Sequence, residues 1–412
     1  MDDALYWVWL QCALGVSSSL RTQDILAAFG GKGENAAERI HAATDYDRRV
    51  SGVFTGRQLA RLNQAQLSAA ESIAEECAQQ QMHILTPQSA DYPLRLLELV
   101  NHPLVLYAKG SLGCLRQHLG IAVVGTRRAD RKSIDIAGRL SASLARAGCV
   151  IVSGGAMGID SAAHRGVLSV PGGQTVAVLG CGIRFNYLME NSALRESIAA
   201  SGAVVSEFPG NTPALAHHFP IRNRIISGMA AGTVVVEAGE RSGSLITAEC
   251  AAEQGRDVFA VPGDAFGSTY TGANKLIRDG AKPVFSAMDV LEEYELIFPE
   301  LLDMKRAERH LGSSAAPILA PQPAAKERQR RPTAPRKTQQ KEPAAAAQPA
   351  SPPQGLEGTI VALLAKDALH VDAICKSTGE RLGAVFTALT NLEMDGLVRQ
   401  LPGKLYEIAT EK

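Results

Sequence analysis

The chain has no surplus of charge. Its 42 basic residues balance 42 acidic ones over 412 positions, so any surface that attracts a polyanion must be a local patch and not a property of the whole molecule. It also lacks a C-x-x-C pair. The seven cysteines, Cys12, Cys77, Cys114, Cys149, Cys181, Cys250 and Cys375, are scattered and odd in number, which argues against a disulfide frame or a zinc site and for reduced thiols in a cytosol. No apolar run is long enough to span a bilayer, and Met1-Asp2-Asp3 places acid where a secretory signal carries base. A soluble, cytoplasmic protein without membrane contact is the expectation. Neither G-x-x-x-x-G-K-[ST] nor G-x-G-x-x-G occurs, so P-loop hydrolysis and dinucleotide binding lose their signatures and no cofactor is expected.

What is present is an alternation of short β-branched runs with helical patterns. Ile121–Gly125, Cys149–Ser153, Thr175–Leu179, Val204–Val205, Thr233–Val236 and Val258–Val261 have strand length and end in small residues, Pro or polar turns. Ile134–Ala147, Ile221–Ala231 and Ser244–Gln254 between them carry helical spacing. Such alternation predicts an α/β fold with an extended, Rossmann-like parallel sheet over residues 86–300. Ligands of these sheets bind in the crevice beyond the carboxyl ends of the strands.

The flanks differ in kind. Residues 1–85 look all-helical, with apolar spacing in Leu5–Leu14, Arg21–Phe29, Ala36–Ala43 and Leu59–Gln81, as in a SAM-like or helix-hairpin-helix-like module. The candidate hairpin loop, Gly15-Val16-Ser17-Ser18-Ser19, lacks a second glycine, so a packing or protein-contact role fits it better. Residues 311–354 are Ala, Pro, Gln, Lys and Arg and predict a disordered linker. Its basic cluster, Lys326, Arg328, Arg330, Arg331, Arg336 and Lys337, serves solubility or, alternatively, adds weak nucleic-acid affinity. Residues 355–412 suit a winged helix: helices at Gly358–Ala365, Val371–Ser377 and Gly383–Asp395, then a hairpin turning at Pro402-Gly403. Ala384–Met394 contains no Arg or Lys, so duplex reading by that third helix is not expected and a protein partner fits at least as well.

The chemistry is confined to strand ends. Gly125-Thr126-Arg127-Arg128 follows the first core strand and offers backbone N–H groups and guanidiniums suited to phosphate. Arg222 and Arg224 recur on another loop of the same face. Ser153-Gly154-Gly155-Ala156-Met157-Gly158 and Ser242-Gly243-Ser244 are two helix starts that favour an anion. His164, His217 and His218 have no carboxylate or Cys beside them at ligand spacing, so they read as structural and not as metal ligands. Glu207 and Glu237 could pair as acid and base, but Glu237 is better placed to fix a neighbouring loop through backbone N–H groups.

Together these residues resemble the DNA processing protein A (Smf) family. The resemblance is carried by Val124–Arg127, by Ser153–His164, by Phe219-Pro220-Ile221-Arg222-Asn223-Arg224-Ile225-Ile226, by Ser242–Ala248 and by Val258–Gly263. It implies a core that binds single-stranded DNA without chemistry, dimerises, and hands the strand to RecA recombinase in natural transformation. The implied DNA contacts are Gly125, Arg127, Ser153, Gly154, Gly155, Arg184, Phe185, Arg222, Asn223, Arg224, Ser242, Gly243 and Ser244, with Phe185 as a base-stacking platform or else a core aromatic. One motif departs from the family pattern G-x-G-[LI]-D-x-x-Y-P: here Gly180-Cys181-Gly182-Ile183-Arg184-Phe185-Asn186-Tyr187-Leu188-Met189 has Arg184 for the acid and Leu188 for the proline. Asn101-His102-Pro103 likewise replaces an acid–proline pair. Two rivals are a Rossmann phosphoribohydrolase and a winged-helix regulator. The hydrolase motif P-G-G-x-G-T-x-x-E ends on an essential glutamate, where this chain has Thr247; the regulator lacks a basic third helix.

Overall fold

The apolar runs do become strands. The computed structural model describes residues 3–30, 35–265, 267–307, 356–365, 367–380, 385, 388, 389, 392, 397–401 and 405–408. The expected linker, with its basic cluster, and the turn at Pro402-Gly403 lie outside them. Nine strands form one sheet: β1 (His83–Leu85), β2 (Leu106–Gly110), β3 (Gly120–Val124), β4 (Val150–Ser153), β5 (Thr175–Leu179), β6 (Ala203–Ser206), β7 (Gly232–Val235), β8 (Asp257–Ala260) and β9 (Lys282–Pro283). Their order is β1-β2-β6-β5-β4-β3-β7-β8-β9. Pairing is parallel from β6 to β9, and only the β1–β2 and β2–β6 ladders are antiparallel. The α/β, largely parallel sheet expected from the alternation is therefore what forms.

Both faces of the sheet are covered, which is why the parallel strands are apolar along their length. Ile121, Val123 and Ile151 pack into one cluster with the helices Arg131–Arg146 and Ile159–Leu168. Ala122, Val124 and Val152 pack into the other, against His218–Gly228 and Gly243–Glu253. Each buried Val or Ile contributes about 1.5–3 kcal/mol. The chain steps outward from β3 to β6 and then returns to lay β7 on the other side of β3. The carboxyl ends of β3 and β7 thus flank a topological switch point, where loops diverge and a crevice opens.

Helices precede the sheet, with two departures from the apolar spacing. The expected helix over Leu59–Gln81 is broken into Gly56–Gln64 and Leu67–Gln79. At the break the Trp9 indole donates to the Ala65 carbonyl at 3.1 Å, a tertiary bond that local propensity cannot foresee. An additional helix, Asp45–Val50, is set by a capping box in which Thr44 and Asp47 satisfy each other's backbone N–H groups. Trp7, Trp9 and Leu10 are buried in a cluster that also holds Leu104, Val105 and Tyr107 from the sheet's β2 region. Gln11 accepts from the Tyr107 hydroxyl at 2.8 Å and donates to the Glu207 carbonyl at 3.1 Å, so the helices are joined to the sheet by core as well as by chain.

The C-terminal unit has helices Leu356–Leu364 and Val371–Thr378 and a three-stranded antiparallel sheet of Leu369–His370, Val398–Leu401 and Leu405–Ile408. Most of the expected third helix lies outside the described residues, but Val385, Ala388, Leu389 and Leu392 are helical and buried at the spacing of one helix face. Helices and wing match the winged-helix pattern. Among the described residues no helix is long and apolar enough to cross a membrane.

Two buried histidines link this packing to pH. His164 shares a 2.8 Å hydrogen bond with Thr175 and its Nε2 has no partner; burial lowers its pKa to about 3, and that of His102 to about 4. A folded pKa depressed below the unfolded value means that stability is full above the unfolded pKa and is lost as pH falls from there, at up to about 1.4 kcal/mol per pH unit for each group. Asp160 and Glu207, raised by burial, act in the opposite sense and are common to variants at other sites. Urea unfolding at pH 7 and pH 5 should therefore show His164→Gln losing less stability on acidification than the parent. Equal losses would mean that His164 does not carry the effect.

Candidate functional site

The switch point holds a crevice of about 350 Å³ lined by the turn after β3, the loop and helix after β4, and the starts of His218–Gly228 and Gly243–Glu253. Gly125, Arg127, Arg222, Asn223, Ser242, Gly243 and Ser244, all expected from the sequence, line it together. Thr126 anchors the first turn: its N–H donates to the Glu237 carbonyl at 2.8 Å, and its own carbonyl accepts from Ile159 at 3.2 Å. Glu237 is buried and accepts the Asp130 N–H at 3.3 Å. It braces the loop, as expected, and is not an acid–base partner of Glu207.

Arg127 is exposed at the mouth, its guanidinium 4.7 Å from the centre of the Phe219 ring. Arg222 lies 5.9 Å from the same ring but is buried. Its Nη1 donates to the Gly154 carbonyl at 2.7 Å and to that of Val178, while its Nε is unpartnered. It therefore caps carbonyls at the carboxyl ends of β4 and β5. Burial lowers the Arg222 pKa, and Asp160 opposes that shift. Asp160, whose carboxyl burial pushes up and Arg222 pulls down, accepts the Ala156 N–H at 3.3 Å. Gly154 lies between the two: a Cβ there would come within 2.5 Å of the Asp160 carboxylate and 2.6 Å of Arg222 Nη1. No other residue fits. Gly158 makes the turn into the helix at φ +76°, with the Thr126 carbonyl where a Cβ would stand.

The remaining expected contacts sit elsewhere. Ser153 is fully buried and its hydroxyl donates to the Val123 carbonyl at 2.6 Å, tying β4 to β3; with Gly154 and Gly155 it forms the crevice's support and not its lining. Arg224 is turned away, its Nη2 bonded to both Glu207 oxygens at 2.7 Å in a pair that is 4% and 5% exposed. Positions two apart on a helix point about 200° apart, so Arg222 and Arg224 cannot face one site. Arg184 pairs with Glu76 outside the crevice. Phe185 packs against the Ala177–Leu179 cluster, the core-aromatic alternative, and it is Phe219 that presents a ring to the crevice. Asp160 and Phe219 lie within the motifs that carry the family resemblance, which assigns them no role of their own. An acid in the first turn of a helix, and an aromatic immediately before Pro-Ile-Arg, were the available signals.

His218 stacks on Phe208 with ring centres 4.0 Å apart, and no cluster of metal-binding side chains occurs among the described residues.

Residues 83–295 match the family model described as DNA recombination-mediator protein A, and residues 343–404 match that of the DprA winged helix domain. The chain is 35% identical over 340 residues to protein Smf of Synechocystis sp., covering 81% of this chain and 82% of that protein. It is 41% identical over 215 residues to DNA processing protein DprA of Bacillus subtilis, covering 52% of this chain and 72% of that one. Among solved structures it is similar to DNA processing protein A of Streptococcus pneumoniae, with a TM-score of 0.59 and 34% identity over 69% of this chain and 95% of that chain.

The two arginines classes should separate in stability. Arg224→Ala leaves the Glu207 carboxylate buried and alone, which costs about 3–5 kcal/mol, whereas Arg127→Ala removes an exposed group and should stay within about 0.5 kcal/mol of the parent. Chemical denaturation of both variants checks this; similar losses at the two positions would contradict the assigned burial.

Proposed function

Since this chain belongs to the DNA recombination-mediator protein A family, whose relatives carry the names DprA and Smf, we propose that its switch-point crevice binds single-stranded DNA. In this reading the protein works in the cytoplasm, protects incoming strands and loads RecA recombinase onto them during natural transformation. The observation that carries the reading is the Arg127 guanidinium on the Phe219 ring, beside the first turn of the helix Gly243–Glu253. A cation and helix N–H groups suit a phosphate, and an aromatic face beside them suits an unstacked base, whatever its identity. A crevice of about 350 Å³ has room for a nucleotide splayed out of its stack.

The contacts we assign to the strand are Arg127, Phe219, Asn223 and the Ser242–Ser244 turn, with Gly125 letting the turn below Arg127 pack closely on Ile159 and Glu237. Ser153, Gly154, Gly155 and Arg222 hold that surface from beneath. Binding without chemistry is supported by the crevice's carboxylate, Asp160, being tied to Ala156 and facing Arg222, and by Thr247 standing where the hydrolase motif has its glutamate. A homodimer through the core is supported by the segment 285–297, which exposes Phe285, Leu296 and Ile297 at 65%, 92% and 62%. The C-terminal unit and the basic linker before it are assigned a tethered, accessory part.

Anisotropy with oligo-dT and a matched duplex over a salt series tests the main claim. Single strands should bind more tightly, with a log–log salt slope of about −0.7 per phosphate contact. Equal affinity for duplex, or a flat salt response, would count against it. Arg127→Ala should weaken oligo-dT binding about ten-fold or more, the effect of losing a charged contact of about 1.5–3 kcal/mol. Unchanged affinity would make Arg127 a plain surface charge. Incubation with AMP or cytidylate should release no free base on chromatography, and release abolished by Ser244→Ala would restore the hydrolase.

A further inference from the structure

Phe219 does not hold its position alone. Behind it lies Gly180, where a Cβ would come within 3.0 Å of the ring, and beside it lies the Tyr187 ring, centre to centre 5.5 Å at 49°. Tyr187 belongs to the segment that departs from the family pattern. Its N–H folds back onto the Phe185 carbonyl at 2.7 Å, and the next residue, Leu188, is left-handed at φ +50° and ψ +67°. That conformation disfavours a leucine and is closed to proline, whose ring fixes φ near −65°. The turn that presents Tyr187 is therefore made by this sequence's own means.

The means is a guanidinium. Arg195, in the first turns of the helix Ser192–Ser201, directs Nη1 at the Tyr187 carbonyl at 2.6 Å and at the Leu188 carbonyl at 3.3 Å. The Leu188 carbonyl also accepts the Asn191 N–H at 2.9 Å. Asn191, itself buried, ties the segment to the crevice's support through Gly155 at 3.3 Å and Ser161 at 3.0 Å. A cation near a helix N-terminus opposes the helix dipole, so Arg195 does not serve its own helix. It does not line the crevice either. We propose that Arg195 is a positioning residue for strand binding, clamping the Tyr187–Leu188 turn so that Tyr187 backs Phe219 against the bound base. The proposal rests on the single-strand reading of the crevice.

Binding of oligo-dT and of an abasic oligomer of equal length, each over a salt series, tests it with the full chain. Arg195→Ala should lose five-fold or more in oligo-dT affinity, keep its salt slope and bind the abasic oligomer as the parent does. Tyr187→Leu should produce the same pattern, and the double variant should be no worse than either single one. Arg195→Met, which keeps the stem's packing and removes only the donors, should reproduce the loss if the alanine variant folds poorly. Unchanged oligo-dT affinity, additive losses, or an equal loss on the abasic oligomer would overturn the role, as would a slope shallower by about 0.7, which marks a direct phosphate contact. A parent that fails to hold oligo-dT overturns the single-strand reading and this role with it, whereas a parent that binds no better than Arg195→Ala overturns the role alone.

Discussion

The crevice depends on one buried charge arrangement. Arg222 is enclosed by protein, and what makes that tolerable is two strand-end carbonyls that accept from it and the opposite charge of the nearby Asp160 carboxylate. Parallel strands that end together leave carbonyls pointing one way, and a guanidinium with its fan of donors is matched to them. Removing it would leave those carbonyls and Asp160 without their cation, so the loop after β4 and the helix that follows would lose their common reference. Arg127 and Phe219 stand on that frame. Only a glycine fits at position 154 between the two charges.

A second buried pair, Arg224 with Glu207, lies on the other side of the same helix. One helix therefore fastens the sheet twice, with the crevice on one flank and the joint to the N-terminal helices on the other, where Gln11 reaches the Glu207 carbonyl. Tyr92, Tyr107 and Gln11 fill the polar remainder of that joint. The site and the helical region are in this way two outcomes of one element's two faces.

How much of this was legible follows from the kind of signal involved. The parallel strands were legible because burial on both faces makes them β-branched and mostly apolar, and their small-residue ends marked the crevice. The edge strands were not, since His83–Leu85 and Lys282–Pro283 are too short for a period. The helix carrying Arg222 begins at His218 and not after Pro220, because a proline in a first turn loses no hydrogen bond there. Sequence proximity grouped Arg222 with Arg224, and helical geometry separates them. The sequence offers Phe185 as the stacking ring and gives Phe219 no role; only the packing of the segment after β5 decides which ring meets the crevice. The break at Ala65 is set by a tryptophan far off in the chain, which no window of local sequence contains.

The ends of the sheet have a further consequence. One margin is closed by a three-residue antiparallel strand, and the other ends on Lys282 and Pro283. Lysine is costly to bury in a growing ladder, and proline has no N–H to offer it. A nine-stranded sheet with open margins would invite its neighbours to add strands whenever molecules crowd together. Here the two margins give an added strand little to pair with, which works against edge-to-edge association.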